Sequence, residues 1–401
     1  MDQMKTARWG ARFVVPALLL NVLIAFGVHP SSAGQTIVQF VFTSDAHYGI
    51  SREAFRGLSS VNARIVNQAL VAKINTLGGV TLPRDGGVEA GHSVGPIDFV
   101  AEGGDIANRE EDSGTEAIQS AAASWAQFRS DYIDGLTATD RTGRRVPVFM
   151  VPGNHDASNA VGFYRPMTPP VDKTAMVEIF NRMVRPSIPR STSTYDYERD
   201  SVLFSRDVGG VHFEFLEIWP DSRARKWMES DLSRIAAVTP VIVITHDEPA
   251  VEAKHFKNPN GTHDINDRDR FENLLADELA DGATIEAPTS IEQAAFEQFL
   301  LRHPNIVAYF HGNSNWNQFY KWTGPFQRVV LNTFRVDSPI RGAESRVDET
   351  RLSFHMATID TRAKKMTVRE CLWNSEPNDP SSSVAWGASS TIDLAPAPAT
   401  H

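Results

Sequence analysis

The sequence predicts an α/β fold in which two mixed β-sheets pack as a sandwich with flanking helices. Three observations predict it. Short apolar runs rich in valine, isoleucine and phenylalanine recur along the chain, helical segments separate them, and two later segments alternate apolar and polar residues. With 401 residues, of which 41% are hydrophobic and 22% charged, the chain is long enough for one large domain or two smaller ones.

Five apolar runs have the length and the β-branched and aromatic content of buried strands. They cover residues 37–42, 97–101, 146–151, 241–245 and 306–310. Between them, apolar residues repeat at steps of three and four, which predicts helices over 52–77, 116–136, 222–237 and 289–302. Residues 201–219 and 329–373 alternate instead, with Gly209-Gly210 as a hairpin turn, and this predicts antiparallel strands.

The remaining segments set the expected domain limits. Residues 78–96, 164–170 and 251–269 are rich in glycine, proline or polar residues and are predicted insertions. We predict one domain over residues 34–376. A poorly ordered tail, rich in serine, alanine and proline, is predicted over 377–401.

Residues 1–33 have the pattern of a cleaved export signal. Three basic residues precede the apolar run 13–28, and small residues at 31–33 provide a cleavage site. A membrane anchor is the alternative, but the run is shorter than the roughly 20 apolar residues that span a bilayer. We therefore expect a periplasmic or secreted protein that begins near Gly34 and does not contact the membrane after cleavage.

The net charge narrows the possible binding partners, and the cysteine content narrows the sources of stability. Residues 1–33 contain three basic residues and one acidic residue, so removing them lowers the formal net charge from -10 to -12. An acidic chain without a basic block of five or more residues is not expected to bind nucleic acid in bulk. The single cysteine, Cys371, excludes an internal disulfide, so stability must come from the core or from bound metal.

Asp, His or Asn follows every one of the five predicted buried strands, at the place where α/β proteins bind ligands. Any one of these turns has an ordinary structural explanation, but five together indicate a site. In a strand, Asp45 and His47 would point to the same side, which suits two ligands to one cation. The glycines before Asp105 and Asn154 let the backbone turn sharply. The motifs are Ser44-Asp45-Ala46-His47, Gly103-Gly104-Asp105-Ile106-Ala107-Asn108, Pro152-Gly153-Asn154-His155-Asp156, Thr245-His246-Asp247-Glu248-Pro249 and Phe310-His311-Gly312-Asn313-Ser314-Asn315-Trp316.

This ordered set resembles the calcineurin-like metallophosphoesterase family, whose pattern runs D-x-H, G-D-x-x-[DN], G-N-H-[DE], a lone H and then G-H-x-H. The resemblance covers about residues 36–315. Four blocks match in order. The fifth departs, because Gly312-Asn313-Ser314-Asn315 replaces both histidines by asparagine. The resemblance implies the four-layer αββα fold of that family.

The resemblance also implies a dinuclear site with two divalent metal ions. The implied ligands are Asp45 and His47 for the first metal, Asp105 as the bridge, and Asn154 and His246 for the second metal. Asn313 and Asn315 inherit the places of the two missing histidines, on the second and the first metal respectively. A carboxamide oxygen is a weaker and harder donor than imidazole, so the site should lean from zinc towards magnesium, manganese or calcium, with iron left open.

In that family the implied reaction is attack on the phosphorus of a small phosphate mono- or diester by a metal-bound hydroxide. His155, which is adjacent to a ligand, would protonate the leaving oxygen, and Asp156 would orient its ring or raise its pKa. Asn108 is a candidate substrate-binding residue. It stands where family members with redox-active iron have tyrosine, so an iron-tyrosinate enzyme is not expected.

Two other functions stay open. Gly91-His92-Ser93-Val94-Gly95 matches the nucleophile elbow of serine hydrolases, although it lies in a glycine-rich loop and runs into the next strand. The second alternative is a noncatalytic binding protein that keeps the fold and has a degraded metal site. Residues that could substitute as ligands are His255, His263, Asp264 and His311. Aromatic residues that could stack on a nucleobase, or pack in the core, are Trp316, Phe319, Tyr320 and Trp322.

Overall fold

The computed structural model describes residues 36–108, 119–158, 172–251, 255, 275 and 290–395. The predicted signal segment 1–33, the predicted insertion 164–170 and most of the predicted insertion 251–269 lie outside these residues. The described residues form two six-stranded sheets, a separate hairpin and six α-helices. None of the described helices is long and apolar enough to cross a membrane.

The first sheet consists of β1 (Ile37–Thr43), β4 (Phe99–Glu102), β5 (Val148–Met150), β12 (Ser353–Asp360), β13 (Lys365–Leu372) and β14 (Ala385–Asp393). Its strand order is β14-β13-β12-β1-β4-β5. The strands β1, β4 and β5 run parallel, whereas β12 pairs with β1 antiparallel. The three parallel strands therefore end at one edge of this sheet.

The second sheet consists of β6 (Leu203–Val208), β7 (Val211–Leu216), β8 (Val241–Ile244), β9 (Ile306–His311), β10 (Gln318–Trp322) and β11 (Leu331–Arg335). Its order is β10-β11-β9-β8-β7-β6, and the four inner strands run parallel. The edge strands β6 and β10 are antiparallel to their neighbours. Gly209-Gly210 connects β6 to β7, as the sequence predicts.

Phenylalanine side chains join the inner faces of the two sheets. The ring of Phe40 on β1 lies 5.3 Å from that of Phe310 on β9, and Phe99 on β4 lies 5.0 Å from Phe213 on β7. All four side chains are buried. Offset and edge-on ring contacts of this kind stabilise a core beyond the burial of apolar area alone. The predicted sandwich of two mixed sheets is confirmed.

The helices are α1 (Ala63–Thr76), α2 (Ala121–Phe128), α3 (Asn154–Ser158), α4 (Thr174–Met183), α5 (Ser222–Leu232) and α6 (Ser290–Arg302). A π-helical turn, Arg129–Ile133, continues α2. The α4 helix contacts β5 of the first sheet, and α5 contacts β6 of the second. On α6, the ring of Phe296 lies 5.5 Å from that of Trp219, which follows β7. Helices thus flank both sheets.

Residues 51–62 form a hairpin and not the first part of the predicted helix 52–77. Its strands are β2 (Ser51–Phe55) and β3 (Leu58–Asn62). Arg56 (φ 50) and Gly57 (φ 78) both adopt the left-handed backbone that a two-residue hairpin turn requires. The helix α1 begins only after Asn62, whose side chain accepts a hydrogen bond from the N–H of Arg64 at 2.9 Å.

The segment predicted to be a poorly ordered tail contains β14, which lies beyond the predicted domain boundary at residue 376. This strand pairs antiparallel with β13, and the hydroxyl groups of Thr367 and Thr391 lie 2.8 Å apart across the pair. Small polar residues are compatible with an edge strand that faces solvent, so composition alone gave the wrong prediction. The domain therefore includes β14. Residues 396–401 lie outside the described residues.

Candidate metal centre

The loops after five strands meet at one end of the sandwich. Within the first sheet, Asp45 donates its backbone N–H to Gly104 O at 2.8 Å, which ties the loop after β1 to the loop after β4. The second sheet contributes His246 after β8, whose Nδ1 donates to Gly103 O at 2.8 Å. It also contributes Asn313 after β9, which donates its backbone N–H to Asp45 Oδ2 at 3.1 Å. These contacts join four of the five sequence blocks, and the remaining block, after β5, joins them through His155, whose backbone N–H donates to Asp105 Oδ1 at 2.8 Å.

Five of the predicted ligands have a left-handed backbone. Their φ angles are 58° at Asp45, 44° at His47, 54° at Asp105 and 61° at both Asn313 and Asn315. Non-glycine residues rarely adopt this conformation, and it concentrates at binding and catalytic sites. Asp45 and His47 follow β1 and lie outside it. Their predicted convergence is found, but it comes from this twisted loop and not from strand alternation.

Asp45, His47 and Asp105 have ligand atoms that lie within 4.8 Å of one another. His47 Nε2 is 3.7 Å from Asp45 Oδ1 and 3.8 Å from Asp105 Oδ2. Both Asp45 Oδ1 and His47 Nε2 are buried and accept no hydrogen bond from any described residue. Burying a carboxylate oxygen and a ring nitrogen that face each other without a hydrogen bond costs free energy. A cation bound to both atoms would remove this cost. These residues therefore fit a metal ion.

His246 faces only acceptor oxygens. Its Nε2 lies 2.8 Å from Asn154 Oδ1 and 3.4 Å from Asp105 Oδ1, while Nδ1 donates to the backbone. Burial alone lowers the pKa of His246, but the carboxylates of Asp105 and Asp45 raise it to about 10. The position thus favours a positive charge, which a proton or a metal cation can supply.

Asp105 lies between these two groups. Its Oδ2 faces His47, its Oδ1 faces His246, and Oδ1 also accepts the backbone N–H of His155 at 2.8 Å. Although burial acts in the opposite direction, the neighbouring histidines hold the pKa of Asp105 well below its usual range. Gly153 packs against this carboxylate so closely that a Cβ there would clash with it. The carboxylate is therefore charged and fixed in place.

Asn108, predicted as a substrate-binding residue, connects two histidines of the site. Its Oδ1 accepts from His47 Nδ1 at 2.8 Å, and its Nδ2 donates to His155 Nδ1 at 3.2 Å. Asn108 is fully buried. With Nδ1 protonated, His47 keeps its Nε2 lone pair for a metal; with Nδ1 accepting, His155 carries its proton on Nε2. One carboxamide thus sets both tautomers.

Asp156 holds backbone groups of two loops. Its carboxylate accepts the N–H groups of Ile106, Ala107 and Gly153 at 2.9–3.2 Å. Burial, with a contribution from the charge of Asp105, raises the pKa of Asp156 to about 7. The sequence predicts that Asp156 orients the ring of His155 or raises its pKa, and the structure shows that Asn108 Nδ2 also contacts this ring. The hydrogen bonds of Asp156 fix the loop after β4 against the start of α3.

Comparison with known protein families shows which family this chain belongs to. The family model of the calcineurin-like phosphoesterases matches residues 38–312, more than half of the sequence. The chain belongs to this family. A search of curated proteins finds no match.

Solved structures similar to this chain include three phosphatases or hydrolases. A dimetal phosphatase from Danio rerio is 10% identical with a TM-score of 0.46, and the match covers 90% of this chain and 100% of that one. The phosphopantetheinyl hydrolase from Mycobacterium tuberculosis is 11% identical (TM-score 0.34; coverage 78% and 93%). A calcineurin-like phosphoesterase from Bacillus subtilis is also 11% identical (TM-score 0.29; coverage 90% and 92%).

The fifth block is where this calcineurin-like phosphoesterase departs from its family pattern. A Cβ at Gly312 would clash with Ser44 and Asp45, so only glycine permits this approach of the loop. Asn313 Nδ2 donates to Asp247 Oδ1 at 3.0 Å, and Asn315 Nδ2 donates to Asn313 O at 2.8 Å. Asn315 Oδ1 is buried and accepts no hydrogen bond from the described residues. The loop therefore keeps its place at the centre of the site.

Other candidate residues of the sequence analysis have different surroundings. His311 turns to Tyr320, with Nε2 3.0 Å from the hydroxyl, and His255 Nδ1 lies 2.6 Å from Asp247 Oδ2. His263 and Asp264 lie outside the described residues. Phe319 packs edge-on against Phe334 with the ring centroids 5.4 Å apart, and Trp322 stacks on Phe296 at 5.5 Å, as core packing predicts. Ser93 lies in a loop before β4 with no helix after it, so the elbow geometry of serine hydrolases is missing.

Sequence reasoning missed two buried carboxylates beside the centre. Asp247 is fully buried and anchors Asn313. Glu102, the last residue of β4, accepts a hydrogen bond from the Thr43 hydroxyl, and burial raises its pKa well above the usual range. Both residues could have been recognised in the sequence, because Asp247 follows His246 directly and Glu102 ends an otherwise apolar strand.

Proposed function

We propose that this protein is an exported metal-dependent phosphoesterase that hydrolyses small phosphate mono- or diesters at a dinuclear site. Asp105 carries the proposal. One of its oxygens faces His47 Nε2 at 3.8 Å and the other faces His246 Nε2 at 3.4 Å. A carboxylate that turns one oxygen to each of two imidazoles has the position of a bridging ligand between two metal ions.

The two halves of the site would each hold one divalent cation. Asp45, His47 and Asn315 would bind the first, and Asn154, His246 and Asn313 the second, with Asp105 shared. This donor set contains two imidazoles among oxygen atoms, which supports magnesium, manganese or calcium over a purely zinc-selective site. When bound, such cations lower the pKa of water and neutralise charge on the phosphoryl oxygens.

His155 would supply the proton for the leaving oxygen. Asn108 holds its Nδ1 as an acceptor, so the proton sits on Nε2, which lies 3.8 Å from Asp105 Oδ2. His155 is 7% exposed, which leaves its edge within reach of a substrate at the mouth of the site. A histidine that keeps this tautomer can donate Nε2–H to an alkoxide leaving group. Asn108 and Asp156 act as positioning residues.

Arg341 would bind the negative charge of the substrate. Ser338 Oγ donates to Asp45 O at 2.9 Å and accepts the backbone N–H of Arg341 at 2.9 Å, so this segment is fixed against the centre. Burial, together with the nearby Arg341 charge, lowers the pKa of His47 to about 3. The Arg341 guanidinium is exposed and forms no ion pair or hydrogen bond with the described residues. It is therefore available to a phosphate oxygen.

We predict that Arg341→Gln raises KM by roughly 10-fold or more, because a hydrogen bond to a charged group contributes about 1.5–3 kcal/mol. Turnover at saturating substrate should change much less. Steady-state kinetics with one phosphate ester measures both. Arg346→Gln is the matched control, since Arg346 is an exposed arginine of the same segment. Equal KM values for the two variants would exclude Arg341 from substrate binding.

A second prediction concerns Asn313 and Asn315. Replacing both by alanine should weaken metal retention by on the order of 10- to 100-fold, the effect expected for residues that bind a metal or orient its ligands. Replacing both by histidine should tighten binding of zinc or iron, because imidazole is the better donor for those ions. Metal content after dialysis is measured for wild type and both variants.

Asn332→Ala is the control for these asparagine variants. Asn332 on β11 donates its side-chain N–H to Val307 O at 3.0 Å, away from the loop of the fifth block. This variant should retain metal as wild type does. If all four proteins hold the same metals with the same affinity, the two asparagines form a polar turn and the remaining ligands lie elsewhere.

A screen of phosphate esters tests the proposed function directly. Chelated protein is assayed on alkyl and nitrophenyl monoesters and on a nitrophenyl diester, with magnesium, manganese, calcium or zinc added back. We expect turnover that requires an added cation. Protein that binds cation and phosphate but hydrolyses none of these esters would be a noncatalytic binding protein. Turnover that survives chelation would contradict metal dependence.

Export rests on the sequence of residues 1–33, which lie outside the described residues. We expect the mature protein in the periplasm or medium, with an amino terminus near Gly34. Cell fractionation and amino-terminal sequencing measure this. An intact amino terminus in the membrane fraction would favour the anchor.

A further inference from the structure

A second group of metal-ligating side chains lies at the opposite end of β7 from the candidate metal centre. His212 and Glu214 are two residues apart on β7, so their side chains share one face of the second sheet. Asp231 on α5 faces them, and Asp207 lies directly opposite His212 on β6. The candidate metal centre follows the carboxyl ends of β8 and β9, which run parallel to β7. The amino end of β7 is therefore at the other edge of the sheet.

His212 lies between two aspartates. Its Nδ1 is 2.8 Å from Asp207 Oδ1, and its Nε2 is 3.1 Å from Asp231 Oδ2. A carboxylate that accepts from one ring nitrogen keeps the proton there and frees the other nitrogen for a metal, the arrangement found behind many metal-bound histidines. Asp207 is mostly exposed and Asp231 half-buried, so the group is reachable from solvent.

Glu214 completes the group. It is 0% exposed, and neither of its carboxylate oxygens has a hydrogen-bond partner among the described residues. Ligand atoms of His212, Glu214 and Asp231 all lie within 4.8 Å of one another. A buried carboxylate without hydrogen bonds is strongly unfavourable unless a proton or a cation neutralises it. The two oxygens therefore point to an additional positive ligand.

We propose that His212, Glu214 and Asp231 bind a divalent metal ion, for which zinc is the best match. One imidazole and two carboxylates are donors that zinc accepts, and its preference for four ligands leaves one place for water. Asp207 orients the histidine through Nδ1. This site is separate from the dinuclear centre and needs none of its residues.

Metal binding here would hold α5 on the β6–β7 hairpin. Two ligands come from the strand and the third from the helix, so the ion cross-links elements that are otherwise joined by packing and by the His212–Asp231 contact. A ligand that binds only the folded chain stabilises it by mass action. The expected result is a thermal midpoint that rises with zinc concentration.

The test uses full-length protein and the variants Glu214→Gln and Asp231→Asn. Burial raises the pKa of Glu214 to about 8, so a neutral glutamine of the same shape should be accommodated in the fold. We expect each variant to retain one equivalent of zinc fewer than wild type after dialysis. With zinc at about 100 times the Kd of this site, the midpoint of wild type should rise by roughly 5 °C more than that of either variant. Asp207→Asn should weaken zinc binding at this site by roughly 10- to 100-fold.

Glu229→Gln is the matched control. Glu229 is also on α5 and pairs with a histidine, His303, at 3.0 Å, but no third metal-ligating side chain of the described residues joins that pair. It should retain all zinc equivalents. Hydrolysis of a phosphate ester should be unchanged in Glu214→Gln, so failure of this proposal is distinguishable from failure of the proposed function. If both Glu214→Gln and Asp231→Asn matched wild type in zinc content and in the response of the midpoint to zinc, the proposed metal site would be wrong. Protons alone would then neutralise the carboxylates of this group.

Discussion

Replacing Asp105 by alanine is expected to lower turnover of a phosphate ester by at least roughly 100- to 1000-fold, the loss typical of removing one preorganised electrostatic group from an active site. The Asp105 side chain faces both His47 and His246, so its loss affects both halves of the centre. The chain should still fold, because the charge of Asp105 contributes to the raised pKa values of Asp45 and Asp156 and its removal relieves this repulsion. Steady-state kinetics and far-UV circular dichroism measure the two effects.

Two further variants make the Asp105 result specific. Asp105→Asn keeps an oxygen that can accept the His155 N–H, but it removes the charge, and it should be as inactive as the alanine variant. Asp98→Asn, just before β4, alters a carboxylate that pairs with Arg141 at 3.1 Å and should leave activity intact. If either Asp105 variant turned over within roughly tenfold of wild type, a difference of about 1.4 kcal/mol in the barrier, Asp105 would not be at the centre of the mechanism.

The second large effect is expected for His155→Ala, and it should depend on the leaving group. With an alkyl phosphate, whose leaving oxygen needs a proton, loss of the general acid should reduce kcat by roughly 100- to 10,000-fold. With a nitrophenyl ester the leaving group is stable without a proton, so the reduction should be much smaller. The ratio of the two rates in wild type and variant is the measurement.

Asn108→Ala provides an independent check on His155. It removes the Nδ2 group that donates to His155 Nδ1 and also the acceptor for His47 Nδ1. We expect it to weaken metal retention and, like His155→Ala, to slow hydrolysis of alkyl phosphates more than that of nitrophenyl esters, whereas His155→Ala should retain metal. Equal losses on both esters in His155→Ala would assign that residue a structural or binding role.

The parallel core of the fold was predictable because its strands are apolar runs with turn residues after them. Two of the four strands at the sheet edges, β10 and β14, were not. The strand β10 (Gln318–Trp322) is partly exposed and contains polar residues, and β14 is rich in serine and threonine. Neither strand therefore has the run of apolar residues that is typical of a buried strand. The hairpin at residues 51–62 was also missed, because apolar spacing over so short a segment fits a helix as well as a strand.

The positions of the candidate ligands in the fold were easier to predict than the contacts of their neighbours. The order of the motifs along the chain is enough to place Asp45, Asp105 and His246 at strand ends. Which side chain orients which ring depends on contacts across loops, and the sequence did not predict that Asn108 contacts the ring of His155 or that Asp156 accepts the N–H of Gly153. Motif patterns carry no information on such contacts between distant residues, because they record only residue type and local spacing.

The left-handed backbone at Asp45, His47, Asp105, Asn313 and Asn315 has a consequence for how the centre could change over time. Asparagine, aspartate and histidine enter this conformation more readily than other non-glycine residues. In the proposed dinuclear site, exchange between histidine and asparagine at positions 313 and 315 would therefore alter the donor atom while the loop keeps its path. Exchange for a β-branched residue would strain the loop itself. Substitutions among asparagine, aspartate and histidine in the fifth block would thus change which metal ion the proposed site prefers, whereas the backbone conformation of the loop would stay the same.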